Sequence, residues 1–308
     1  MDPMGDSSMA HPRVDLPVQS HRAGVARSRA TRSAEDGPIV AAAREVREHA
    51  HPRAWTAIRG FREILLIGAV YSLYDLTRFL VEGAHAAAFS HARSLLTWEA
   101  DWHLDPEHAL NKAFSAHGVL ALPSDYIYAT LHYVVTPVVL VWLWRRHSGS
   151  YSRARSTLMV ATVLGLVGFS LLPVAPPRML PGFIDTMSKY QHYGWWSGDA
   201  SAPRGLGQDT NQFAALPSLH VGWALWCGWQ LIVHGRHRIT QVLGALYPIV
   251  LSIVVIATAN HYLVDVVAGF VVIGVAALIV RGFASLAWRL WPRLASFSPL
   301  NSSPRAPA

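Results

Sequence analysis

The chain has 308 residues, of which 52% are hydrophobic and 15% charged, and its formal net charge is +7. Such a low charged fraction is untypical of a soluble domain and indicates an integral membrane protein. The positive charge comes from Arg residues beside apolar runs, which indicates membrane topology, and we expect no nucleic-acid partner. The single cysteine, Cys227, excludes an internal disulfide framework and a metal site built from several cysteines.

The two ends of the chain differ from its middle. Residues 1–60 are rich in Arg, Ala, His, Ser and Pro without a sustained apolar period, which predicts a disordered tail. The first apolar run starts near residue 63, too late for a cleaved secretory signal. We predict one membrane domain over 61–285 and a short C-terminal tail over 286–308.

The middle of the chain holds six apolar segments long enough to span a bilayer, which predicts an all-α fold, a six-transmembrane-helix bundle. The segments lie at roughly 63–82, 124–144, 156–175, 217–234, 239–259 and 262–282. Only a brief turn around Asn260 separates the last two segments.

Loop charges predict the orientation, because cytoplasmic loops carry an excess of Lys and Arg. Fourteen basic residues flank the segments on one side, and five lie in the two longer loops of the other side, 83–123 and 176–216. We therefore expect a cell-membrane protein with both termini in the cytoplasm. Apolar residues recur on a helical period in 83–123, which predicts one or two short helices, either interfacial helices at the membrane surface or ordinary loop helices.

Two short motifs carry the candidate chemistry. In HYLVD, His261 and Asp265 share one face if they are helical, so Asp265 can hold one imidazole nitrogen and leave the other as nucleophile or base. In PSLH, Pro217 suits a first helical turn, where free N–H groups and the Ser218 hydroxyl can hold a phosphate. His220 would then protonate a leaving oxygen. Taken singly, each motif also fits a structural interpretation, a satisfied buried carboxylate or a plain helix cap.

A third motif, APPR at 175–178, presents Arg178 just beyond the third apolar segment. Its planar guanidinium suits phosphate oxygens, and Arg204 is a second candidate phosphate ligand. The predicted topology places Arg178, His220 and His261 at one membrane face. Together they supply a nucleophile, a proton donor and an anion clamp, which favours phosphoryl transfer through a phosphohistidine.

Other polar residues carry less specific signals. In the first segment, Asp75 and Arg78 are three apart and are predicted to pair within the helix. An alternative role in substrate contact includes Tyr71. The histidines of the outward loops show no H-x-x-x-H or HExxH spacing, so we expect neither a metal nor another cofactor.

PSLH, followed about forty residues later by HYLVDVVAG, is similar to the second and third motifs of the type 2 phosphatidic acid phosphatase superfamily. The resemblance implies that His261 is the nucleophile, that Asp265 orients it and that His220 is the general acid. Leu219 stands where phosphatase members usually have Gly, and Val255 stands where they have an Arg six residues before the nucleophile.

The phosphatase-type first motif, a Lys seven residues before Arg-Pro, is absent. The chain instead has APPR, followed by a loop that ends in NQFAALPSLH. This pattern resembles the inositol phosphorylceramide synthase (inositolphosphotransferase) branch, over roughly residues 60–285. In that branch the phosphate goes to an alcohol rather than to water.

These features predict a membrane lipid phosphotransferase with a phosphohistidine intermediate at the outer membrane face, transferring a phospho-headgroup to or from inositol-type alcohols. One alternative is a lipid phosphate phosphatase acting on phosphatidate or polyprenyl diphosphate, since water uses the same machinery. Another is a non-enzymatic transporter or scaffold that keeps the His–Asp pair for structure. The expected partners are a membrane lipid and a small alcohol or water, and the sequence leaves the oligomeric state open.

Overall fold

The computed structural model describes residues 60–66, 68–69, 72–73, 84–196 and 211–296, with side chains described up to residue 286. The chain divides into two compact units, residues 1–66 and 67–308. The described part of the first unit, residues 60–66, is helical. The tail predicted over 1–60 therefore lies outside the described residues except for residue 60, as does most of the apolar segment 63–82.

Within the described residues the regular structure is helical, which confirms the predicted all-α class. Residues 84–196 and 211–296 of the second unit form eight α-helices: α1 (His85–Asp101), α2 (Glu107–Ser115), α3 (Gly118–Arg146), α4 (Ser148–Leu171), α5 (Thr186–Lys189), α6 (Leu219–His234), α7 (Arg238–Ala257) and α8 (Leu263–Ser296). A 3₁₀ turn, Pro177–Met179, follows α4. An isolated parallel bridge joins Val174 to Ala214.

Four helices of the described part are long and apolar enough to cross a membrane: α3, α4, α7 and the first 24 residues of α8. They suggest a multi-pass membrane protein. Helix α6 has 16 residues, and at a rise of about 1.5 Å per residue it falls short of a hydrocarbon core of about 30 Å. Its apolar composition predicted a span, but helix length is set by Ser218 at its start and Gly235 at its end.

The apolar segments 124–144 and 156–175 predicted a loop between them, and this prediction is wrong. α3 ends at Arg146 and α4 begins at Ser148, so only His147 separates the two helices. The helical backbone continues beyond the apolar stretch, because Arg and Ser are tolerated in a helix as well as in a loop. α4 ends at Leu171, since Pro173 cannot continue the hydrogen-bonding pattern.

Three chain segments meet at the end of the bundle where α4 and α7 end and where α6 and α8 begin. Backbone N–H groups join them through three hydrogen bonds, from Val174 to Phe213 (3.0 Å), from Arg178 to Ala259 (2.8 Å) and from Ser218 to Asp265 (2.9 Å). The motifs APPR, PSLH and HYLVD are thereby brought together, as the predicted topology requires.

Helices α1 and α2 occupy the 83–123 loop and pack over this meeting point. The carbonyl of Ala88 in α1 accepts the N–H of Ala175 at 3.2 Å. The amide side chain of Asn111 in α2 donates to the carbonyl of Ala257 at 3.0 Å. The helices predicted for this loop are present, and their location at the membrane surface stays a prediction.

Helices α6 and α8 cross at two glycines. A Cβ added at Gly222 would lie 3.2 Å from the carbonyl oxygen of Gly269, and one added at Gly269 would lie 2.4 Å from that of Ser218. Small residues allow such close backbone approach between apolar helices. The crossing fixes the start of α6 against the first turns of α8.

Gly269→Ala should force α6 and α8 apart, because the new methyl group overlaps the Ser218 carbonyl. Overpacking of this kind typically costs about 1–3 kcal/mol, so we expect a lower free energy of unfolding, measured by denaturation in detergent micelles. Gly274→Ala on the same helix is the matched control, since nothing lies within 4 Å of its added Cβ. Equal unfolding midpoints for the two variants would contradict the close crossing.

Candidate active site

His261 is buried, with 3% of its surface exposed, and its ring is held by two acceptors. Nδ1 lies 2.8 Å from the carbonyl oxygen of Ala215 and 3.3 Å from Oδ2 of Asp265. Because a carbonyl oxygen only accepts hydrogen bonds, Nδ1 carries the proton. The neutral ring therefore has its lone pair on Nε2, which is the nitrogen available for reaction.

The contact between His261 and Asp265 arises at the start of α8, and not from two positions on one helical face as predicted. α8 begins at Leu263, so His261 precedes the helix and Asp265 is its third residue. Oδ2 of Asp265 accepts the N–H of Tyr262 at 2.9 Å. An acid at the third position caps the residue before a helix in this way, and the same oxygen thus fixes the backbone beside His261.

His220, the second residue of α6, lies among aromatic rings next to His261. Its ring stacks on Tyr128 with centroids 4.5 Å apart, and meets His132 edge-on at 4.4 Å. The centroid of the His261 ring is 6.0 Å away. Since reacting groups approach to about 3–3.5 Å, one phosphoryl group can be reached by both imidazoles.

Tyr128 and His132 were missed by the sequence predictions. They lie four residues apart on one face of α3, and Nδ1 of His132 is 3.1 Å from the carbonyl oxygen of Tyr128. The available signal was a histidine inside an apolar segment, because polar residues at such positions tend to be functional. Sequence spacing alone gave no reason to bring α3 beside α6.

Ser218 is the cap of α6, and Pro217, predicted in the first turn, precedes the cap. α6 begins at Leu219, and the side chain of Ser218 makes no capping hydrogen bond. The Ser218 hydroxyl is fully buried, yet among the described residues it has no hydrogen-bond partner. An unsatisfied buried hydroxyl is unfavourable, and a phosphate oxygen at this helix start would satisfy it.

Arg178 reaches the same end of the bundle from the 3₁₀ turn. Its Nη1 donates to Oδ1 of Asn260 at 2.5 Å, and its Nε lies 3.8 Å from Oδ2 of Asp185. Burial raises the pKa of Asp185, although the Arg178 charge acts in the opposite direction. The guanidinium has five N–H donors, so donors beyond the one that Asn260 takes can serve a phosphate.

Two departures from the phosphatase-type motifs have a structural explanation. Leu219 packs against Gly165 of α4, where any added Cβ would come within 2.5 Å of the leucine side chain. Val255 is fully buried in an apolar cluster, and its carbonyl accepts the N–H of His261 at 3.1 Å. No guanidinium is supplied from that position, and Arg178 approaches the same turn from another segment.

Four residues predicted for the site lie outside the described residues: Arg204, Tyr71, Asp75 and Arg78. The phosphate-binding role of Arg204 stays a prediction, as do the pairing and substrate contacts of the other three. In the part of the chain that the structure describes, no group of three or more His, Cys, Asp or Glu residues is arranged to hold a metal ion.

A family model described as the PAP2 superfamily matches residues 93–279, which is more than half of the chain. No curated protein and no solved structure matches the chain. The match and the apolar helices define a phosphatase or phosphotransferase enzyme that fits a membrane lipid substrate. The chain belongs to the PAP2 superfamily, as its motifs predicted, whereas the inositol phosphorylceramide synthase branch stays a prediction.

Arg178→Lys should lower turnover, because an ammonium keeps the charge but cannot both bond Asn260 and present a planar fork to phosphate. Loss of a group that stabilises developing charge typically lowers kcat by about 10²–10³. The measurement is release or transfer of label from a 32P-labelled phospholipid in micelles. Arg93→Lys is the control, since Arg93 is exposed on α1. Unchanged kcat in both variants would remove Arg178 from the site.

Proposed function

We propose that the protein is a lipid phosphotransferase that works by double displacement through a phosphohistidine on His261. The hydrogen bonding of the His261 ring is the main support for this proposal. Nδ1 of His261 faces the Ala215 carbonyl and the Asp265 carboxylate, so in the neutral ring the lone pair lies on Nε2, which can attack phosphorus. Membership of a superfamily of phosphatases and phosphotransferases supports the same chemistry.

In the first step, Nε2 of His261 forms a bond to phosphorus and the bond from phosphorus to the leaving oxygen breaks. Protonated His220 gives its proton to that oxygen. In the second step, neutral His220 takes a proton from the acceptor hydroxyl, and the acceptor oxygen bonds to phosphorus. The N–P bond then breaks and His261 returns to its starting state.

The negative charge on the phosphoryl oxygens needs fixed donors. Arg178 supplies a guanidinium, and Ser218 supplies a buried hydroxyl whose hydrogen-bonding capacity is unused by the described residues. The first turn of α6 adds N–H groups that have no partner within the helix. Donors fixed before the reaction stabilise the transition state without reorganisation. Arg204 is a further proposed phosphate ligand, and its sequence position alone supports it.

For the membrane arrangement, we propose that the six apolar segments span the bilayer: the four long helices, the segment 63–82, and the segment 217–234, in which α6 is shorter than the hydrocarbon core and depends on its flanking residues to complete the crossing. Both termini then lie in the cytoplasm and the site faces outward. The site lies at the end of the bundle opposite to Arg145 and Arg146, which end α3, and opposite to Arg236, which follows α6, and Arg238, which begins α7. A lipid headgroup can enter there while its chains stay in the bilayer.

An alcohol of the inositol type is the proposed acceptor or leaving group. Support comes from the departures at Leu219 and Val255, which separate this chain from phosphatase-type motifs, and from the packing that accommodates both residues. A headgroup alcohol differs from water in size and in hydrogen bonding but uses the same proton transfer through His220.

His261→Ala should abolish the covalent intermediate. Purified enzyme is mixed with 32P-labelled phosphatidate or phosphatidylinositol and quenched in alkaline detergent, and the protein-bound label is tested for acid lability. We expect acid-labile label in the wild type and in His192→Ala, an exposed histidine control, and none in His261→Ala. Label of equal amount in His261→Ala would exclude this residue as the nucleophile.

Added alcohol separates transfer from hydrolysis. 32P-labelled phosphatidate is incubated with and without inositol, and the products are separated. A phosphotransferase places label in a new phosphate ester when inositol is present, because the alcohol and water compete for one phosphohistidine. Inorganic phosphate as the sole labelled product in every tube would exclude the transferase and identify a phosphatase.

A further inference from the structure

Two fully buried glutamates hold the start of α8. Oε1 of Glu107, in α2, accepts the N–H of Leu263 at 2.7 Å, and Oε1 of Glu99, in α1, accepts the N–H of Val264 at 2.7 Å. These are the first two amides of the helix, and Asp265 takes the preceding amide, that of Tyr262. Three consecutive amides directly after His261 are therefore each bonded to a carboxyl group.

The surroundings of this pair are acidic. Their Oε1 atoms accept two successive amides of α8, so the two carboxyl groups are neighbours, and the other charges that act on them are those of Asp265 and Asp105. No N–H or hydroxyl donor of the described residues reaches Oε2 of either glutamate. Two carboxylates have no donor between them, so a hydrogen bond between these second oxygens would require a proton on one of them.

We propose that Glu99 and Glu107 share one proton between their second oxygens and, as a protonated pair, position His261 through the first turn of α8. The inference rests on the proposed function, because it assigns the pair to the positioning of that nucleophile. The first oxygens bond the helix amides while the second oxygens bond each other, so the pair carries one negative charge instead of two. α1 and α2 are thus clamped onto the backbone that carries the reactive histidine.

The pH dependence of stability follows from the direction in which the pKa values of the two glutamates are shifted. Burial raises the pKa of Glu99 to about 8 and also raises that of Glu107. The folded protein keeps a proton that the unfolded chain releases near its ordinary pKa of 4.5. Its contribution to stability is fully present below that ordinary value and is lost as pH rises through about 8. Above this pH, two like charges face each other beside Asp265, and the clamp loosens.

Glutamine substitutions test the shared proton. In Glu99→Gln or Glu107→Gln, the amide oxygen can accept the helix N–H and the amide NH₂ can donate to the remaining carboxylate. We expect each single variant to keep kcat near pH 7, and to lose less activity and less thermal stability than the wild type above pH 8. In the double variant, two NH₂ groups face each other without an acceptor, so kcat should fall although every side chain keeps its size.

Glu99→Ala leaves a helix amide without its acceptor. We expect kcat to fall by a larger factor than that by which KM for the lipid changes. A displaced catalytic group can lower the rate by about 10²-fold. Asp101→Asn, an exposed carboxylate on the same helix, is the control and should match the wild type at every pH. Rescue by glutamine but not by alanine separates positioning by hydrogen bonds from mere packing.

Two results for kcat would contradict the shared proton: either single glutamine variant as inactive as Glu99→Ala, or a double variant as active as the single variants. A melting temperature of the single variants that falls with alkaline pH as much as that of the wild type would contradict it as well. The melting measurement needs no substrate, so it judges the protonated pair even if no phosphoenzyme forms. Conversely, label that survives in His261→Ala overturns the proposed function and leaves the melting result standing.

Discussion

The hydrogen bond from Nδ1 of His261 to the carbonyl of Ala215 is the interaction on which the proposed chemistry depends. It fixes the proton on the inner nitrogen and leaves Nε2 basic. The acceptor belongs to the backbone, so it cannot itself give up a proton or rotate away. Asp265, at 3.3 Å from the same nitrogen, adds a carboxylate that favours the charge developing on the ring.

That hydrogen bond forms only if the segment before α6 lies beside the start of α8. The Gly222–Gly269 crossing brings the two helices close enough, and the bond from the Ser218 N–H to the Asp265 carbonyl joins their first turns. The N-termini of α6 and α8 therefore lie side by side at the candidate active site. The N–H groups of the first turn of α6 lie there, which suits an anion, whereas the amides of Tyr262, Leu263 and Val264 are bonded by carboxyl groups.

The helical class and four of the spans could be predicted, because long apolar runs specify helices in a membrane whatever their partners. The motif residues could also be predicted to converge, since loop topology alone places them at one end. The Ala215 carbonyl could not, because a backbone acceptor has no residue type to identify it. The contacts of Glu99 and Glu107 could not be predicted either, because their bonds to α8 join residues that are 165 and 156 positions apart in the sequence. The extension of α3 and α4 through their polar flanks was also not predictable from hydropathy.

If Nε2 of His261 attacks phosphorus, the phosphoenzyme carries its phosphate on that nitrogen, and the position of the phosphate on the imidazole ring can be measured. Phosphoenzyme formed from a phospholipid on 15N-histidine-labelled protein can be trapped in alkali and examined by 31P and 15N NMR after digestion to the His261 peptide. We expect phosphate on Nε2, with Nδ1 still protonated. Phosphate on Nδ1, or on another residue while His261 is unmodified, would contradict it.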